Sequence, residues 1–121
     1  MRASIAFAGL LALCVGLAPA RDVGARPEKI RAGHSYYSDD YVEAGLVRDI
    51  AAEKNYEEVY QFYGFYEAIY DARDRVVTFR EYKRGDPVRT EEYRYAPDGS
   101  LLERTVRRPG KPDEVTRSSG D

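Results

Sequence analysis

Tryptophan is missing from these 121 residues, and cysteine, histidine and methionine occur once each. Cys14 lies in an apolar N-terminal run, so a chain that sheds that run carries no thiol. Such a chain has no disulfide, no thiolate metal site and no cysteine nucleophile. His34 stands at an irregular, charged end, and no spacing orders it with Ser35, Ser38 or Ser100 as a triad. Beside Asp39, Asp40 and Glu43 it does not form the pattern of a calcium loop. No catalytic residue, no metal and no cofactor is expected. Charge of one sign is also scarce: 19 Lys and Arg face 21 Asp and Glu. A nucleic-acid partner calls for a strong basic field, so none is expected.

Long apolar runs are confined to the start. Arg2 precedes Ala3 to Ala18, and Ala18-Pro19-Ala20 stands just before Arg21-Asp22. That is the layout of a signal peptide over residues 1–20, cleaved after Ala20. The run is short for a spanning helix, which needs about 20 residues, so no stable membrane insertion is expected after cleavage. Leu11-Ala12-Leu13-Cys14 offers lipidation at Cys14 as the other processing route, although Leu13 is large for it. The expected location is periplasmic or secreted. Residues 21–33 read as a flexible lead-in, 34–116 as one domain and 117–121 as a disordered tail.

Tyrosine is what the chain has in excess, with eleven copies. Tyr36, Tyr37 and Tyr41 crowd one segment, which reads as laid over a sheet. Leu46, Val47, Ile50 and Ala51 fit a helical stripe that Gly45 interrupts. Asn55, Glu58 and Gly64 offer a cap, a capping-box partner and a stop for a helix from Asn55 to Tyr63. Four strands follow, Phe65 to Tyr70, Arg75 to Lys83, Val88 to Tyr95 and Leu101 to Arg107, with Val115 as a further edge. Alternation in the second places Val77, Phe79 and Glu81 on one face and Val76, Thr78, Arg80 and Tyr82 on the other. Asp, Gly and Pro punctuate the turns, most clearly at Ala96-Pro97-Asp98-Gly99. The fold class expected is α+β: an antiparallel four- to five-stranded β-meander covered on one face by a short helix.

The meander echoes itself at a period of 25 residues, Tyr70 with Tyr95, Val76-Val77 with Leu101-Leu102, and Gly85 with Gly110. Tyr93-Arg94-Tyr95-Ala96-Pro97-Asp98-Gly99-Ser100-Leu101 resembles the tyrosine-aspartate (YD-type) hairpin repeat of bacterial wall-associated and Rhs-type proteins. Tyr66 to Val77 resembles a second copy, with Asp74 in the glycine's place. The order of helix, Tyr-Asp and two hairpins is also similar to that of a family of small bacterial exported proteins. The resemblance spans about half of the chain after residue 20. It implies turn chemistry rather than a reaction, and two copies are too few to build a shell or a fibre.

Paired carboxylates carry no chemistry either. Glu91 and Glu92, adjacent on a strand, point to opposite faces and are expected to pair across strands with Arg80, Arg104 or Arg107. Arg84-Gly85-Asp86 spells an adhesion tripeptide that a hairpin turn would select anyway. The expected function is that of a small exported, non-enzymatic binding or structural accessory module of a bacterial envelope. Its candidate contact surface is Tyr36, Tyr37, Tyr41, Tyr56 and Tyr60, facing a protein or glycan of the cell envelope. The alternative is an inhibitor or immunity-type protein that blocks a partner enzyme with an acidic or tyrosine-bearing loop.

Overall fold

The computed structural model describes Pro27 and residues 29–118. The signal peptide expected over residues 1–20, its expected cleavage or lipidation, most of the expected lead-in and residues 119–121 lie outside the described residues. The strands are β1 (Ser35–Ser38), β2 (Tyr41–Ala44), β3 (Val47–Ile50), β4 (Gly64–Tyr70), β5 (Val76–Lys83), β6 (Asp86–Tyr95), β7 (Leu101–Arg107) and β8 (Glu114–Arg117). Among the described residues one helix, α1 (Tyr56–Val59), stands before β4. The antiparallel strands form a six-stranded sheet in the order β1-β4-β5-β6-β7-β8 and a separate two-stranded sheet, β2-β3.

The expected α+β meander under a helix is therefore corrected to a mostly β fold of two sheets. Three local causes account for it. Gly45 takes φ +63° and lets the chain fold back as a hairpin, so the stripe over Leu46 to Ile50 becomes β3 and not a helix. Ser35–Ser38 does not lie over the sheet but joins it, pairing with β4 from Ser35 opposite Ile69 to Ser38 opposite Tyr66. The helix is a single turn. The Asn55 side chain makes no cap hydrogen bond, and aromatic residues beyond Val59 favour a helix weakly.

The hairpin and not the helix covers the main core. Ile50 from β3 packs with Ala68, Tyr70, Val76, Phe79 and Tyr93 of the sheet. Val76 and Phe79 share that face because of a bulge: Ile69 stands opposite Thr78 but Tyr70 opposite Val76, so Val77 is the extra residue. The strict alternation expected for β5 fails there. The same device recurs 25 residues on, where Arg94 faces Glu103 but Tyr95 faces Leu101. The two turns match bond for bond. Asp71 N–H donates to Arg75 O (2.9 Å) and Asp74 N–H to Asp71 O (3.0 Å); Ala96 N–H donates to Ser100 O and Gly99 N–H to Ala96 O, both at 2.8 Å. Asp74 (φ +63°) accepts the left-handed backbone that Gly99 (φ +95°) takes freely. The 25-residue echo is thus a repeat of turn and bulge geometry.

Candidate functional site

The sheet's other face begins with a buried charge. Glu67 of β4 accepts hydrogen bonds from the Ser35 hydroxyl, from Arg80 Nη1 (2.9 Å) and from the Tyr82 hydroxyl (2.7 Å). Burial pushes its carboxyl up, but these donors outweigh burial and hold it below the ordinary range. The Tyr82 phenol is driven well up by burial and by the carboxylate that accepts its proton. This network fixes a floor of rings. Phe65 and Tyr82 stack at 4.8 Å between centroids, and Tyr37 meets Phe65 edge-on at 6.2 Å.

On that floor stands the aromatic surface. Tyr56 contacts Tyr37 at 5.1 Å and stacks on Tyr60 at 5.6 Å, one helical turn on. Only Val59 of α1 is buried, so the turn is pinned by one side chain and turns its rings outward. Tyr56 is 50% exposed, Tyr60 54%, Phe62 37% and Tyr63 62%. The other large exposed apolar side chains among the described residues, Leu46, Leu102 and Val115, lie elsewhere in sequence. Arg84 of the β5–β6 turn sits 5.7 Å from the Tyr63 ring, and its N–H donates to Tyr63 O at 2.8 Å. The rim carries exposed Glu53, Glu57 and Glu58.

The five tyrosines singled out in the sequence therefore divide. Tyr37, Tyr56 and Tyr60 come together. Tyr36 lies half-buried on the core face, its ring 5.7 Å from that of Tyr70 and its hydroxyl bonded to the backbone of Lys29 and Arg31. Tyr41 is half-buried against Tyr66 (4.9 Å) and Phe79 (5.9 Å). Phe62, Tyr63 and Arg84 were not legible as surface. Phe62 and Tyr63 fit a helical stripe that would have faced the sheet, and the helix ends before reaching them. Arg84 with Gly85 (φ +55° and +83°) makes the two-residue turn expected from the tripeptide, and it adds a guanidinium to the patch.

No family model, curated protein or solved structure matches the chain.

A second buried carboxylate sits under the hairpin. Glu91 is wholly buried. Arg89 Nε (2.6 Å), Arg104 Nε (3.3 Å) and the Tyr93 hydroxyl (2.5 Å) donate to it, and Arg48 Nε lies 3.4 Å away. Burial again raises its carboxyl, and the phenol and guanidinium groups win and lower it. Arg104 was among its expected partners; Arg80 pairs with Glu67 instead, and Glu92 takes Arg107. Arg48 reaches Glu91 from β3, so this network ties the hairpin to the sheet. Arg48 N–H also donates to the Tyr93 hydroxyl at 2.9 Å.

No group of three or more metal-ligating side chains occurs among the described residues. His34 is exposed, and the Ser35 hydroxyl beside it is committed to Glu67. A cleft of about 480 Å³ lies between the hairpin tip and β7. Its walls include Leu46, Val47 and Leu101, and its Ser100 hydroxyl donates to Asp98. No described helix is long and apolar enough to cross a membrane.

Proposed function

We propose that this chain is an exported, non-enzymatic binding module that docks one protein partner of the bacterial envelope through Tyr56, Tyr60, Phe62, Tyr63 and Arg84. The observation that carries the reading is the concentration of exposed rings in one eight-residue stretch, 56–63, of an otherwise charged surface. Tyrosine and arginine dominate contact energies at protein interfaces, because they bring large area at low entropy cost. A buried ion network beneath the rings holds their floor, so little ordering is left to pay for on binding. The Tyr56–Tyr60 stack and the Arg84 cation over Tyr63 occupy ring faces that a sugar would need. That favours a protein over a glycan. The acidic rim suits a partner with an apolar centre and cationic edges. Export rests on the pattern of residues 1–20.

The inhibitor reading uses the same residues. It is favoured by their placement on one helical turn and a connecting segment, off the sheet. The test is capture from envelope extract with the protein and with a Tyr56→Ala, Tyr60→Ala, Tyr63→Ala variant. One stoichiometric partner lost at least tenfold in the variant, with an unchanged melting temperature, supports the docking surface. Partners retained by the variant refute it. If the captured partner is an enzyme that the protein inhibits in proportion to occupancy, the inhibitor form is correct.

A further inference from the structure

The two edges of the six-stranded sheet are treated differently. At β1 the edge is partly covered: Lys54 N–H donates to Tyr37 O at 2.8 Å, and just beyond the strand Ala51 N–H donates to Asp40 O at 3.0 Å. At β8 all four residues are exposed, and no described strand pairs beyond it. An open edge with an apolar residue at its centre is a template for another strand. Val115, 48% exposed, is that residue.

The backbone of β8 sets which groups are free. Ser118 N–H donates inward to Leu102 O at 2.9 Å, in register with Arg117 opposite Glu103 and Val115 opposite Thr105. Inward and outward groups alternate along a strand. Ser118, Thr116 and Glu114 therefore turn N–H and C=O toward β7, and Arg117, Val115 and Asp113 turn theirs outward. A second copy approaching antiparallel about a two-fold axis normal to the sheet must match residues of the same face. The register centred on Val115 does so. It sets Val115 against Val115 of the second copy, Glu114 against its Thr116 and Asp113 against its Arg117. The outward backbone groups of the two copies then face one another.

Charge fits the same register. On this face Arg94 pairs with Glu103 (3.3 Å) and Glu103 with Arg117 (3.2 Å). In the same molecule Glu92 pairs with Arg107, and Arg107 with Asp113 (3.2 Å). Joining two copies at Val115 places the Arg117 that ends one row against the Asp113 that ends the other. The signs then alternate without a break across the axis. A register moved by two residues sets Arg117 opposite Val115 and loses this.

We propose that β8 joins a second copy of this chain through a two-fold antiparallel contact centred on Val115, fusing two six-stranded sheets into one. The contact is short compared with the roughly 1,200–2,000 Å² of stable interfaces, so association depends on protein concentration and weakens with salt. It leaves the 56–63 surface free and is independent of the docking role proposed for it.

The test uses protein expressed from its full sequence, with Cys14→Ser in every cysteine variant. Sedimentation velocity should show a dimer fraction that rises with concentration and falls at high salt. Val115→Pro should remove it with the fold intact, because the Val115 N–H points outward and serves no bond within the chain. Val115→Cys should give a disulfide-linked dimer on mild oxidation. Thr116→Cys, offset by two residues from its own copy, should cross-link at least tenfold less, since its Cα atoms lie beyond the roughly 7 Å limit for a bridge. A monomer at all concentrations overturns the proposal, and so do equal yields from the two cysteine variants.

Discussion

Two glutamates decide how this small sheet tolerates acid. Glu67 and Glu91 are both held below the ordinary carboxylate range by donors that outweigh burial. A carboxyl whose folded pKa is depressed contributes stability above its unfolded pKa, about 4.3 for Glu. That contribution is lost as pH falls through the folded value. The melting temperature should therefore hold level from pH 7 to about pH 5 and fall steeply below about pH 4. Glu91→Gln should lower the plateau and flatten the slope, and melting curves across this range check both. At the turns, Gly99→Ala meets no hard obstacle, its Cβ lying 4.0 Å from Arg75 Nη1, but it forces φ +95° on a residue with a side chain. It should cost about 1–2 kcal/mol, read by urea unfolding. Glu91 itself was legible in sequence only as a cross-strand partner. Its burial depends on Arg48 arriving from a hairpin that the pattern around Gly45 did not reveal.

At the scale of elements, the strands from Phe65 to Arg107 were legible because each carries its own turn chemistry, and the observed β4 to β7 follow those boundaries within a residue or two. The elements before them were not. Leu46, Val47 and Ile50 satisfy a helical period as well as they satisfy a half-buried strand, and only the partner across Gly45 chooses between them. The bulge at Val77 was equally hidden, since it depends on how Tyr70 meets Val76 across the turn. The hairpin that replaced the expected helix makes its own prediction. Ile50 is fully buried and Val59 of α1 is as well, yet Ile50 anchors the cover of the main cluster. Ile50→Ala should cost about 2–5 kcal/mol and expose Tyr70 and Phe79 to solvent. Urea unfolding, with tyrosine near-ultraviolet dichroism as the probe, measures both. Val59→Ala should instead loosen α1 locally, seen as faster amide exchange at Tyr60 and Phe62 with the sheet amides unchanged.

For the whole molecule, an excess of tyrosine serves two ends. Tyr36, Tyr41, Tyr66, Tyr70 and Tyr93 fill a core poor in leucine and isoleucine, each with its ring packed or its hydroxyl bonded. Tyr56, Tyr60 and Tyr63 face outward over a floor of rings held in place by the Glu67 network. Composition alone could not separate the two groups. In the function proposed here the sheet is the scaffold, and recognition is assigned to α1 and the residues leading into β4. The most direct test is site-specific photocross-linking in living cells, with a benzophenone side chain placed in turn at Tyr60, Tyr63, Thr78 and Thr105. The docking role proposed for Tyr56 to Tyr63 predicts one protein adduct from positions 60 and 63, none from 78 and 105, and loss of the adduct when Tyr56→Ala and Arg84→Ala are added. Equal adducts from all four positions, or none from 60 and 63, would contradict it.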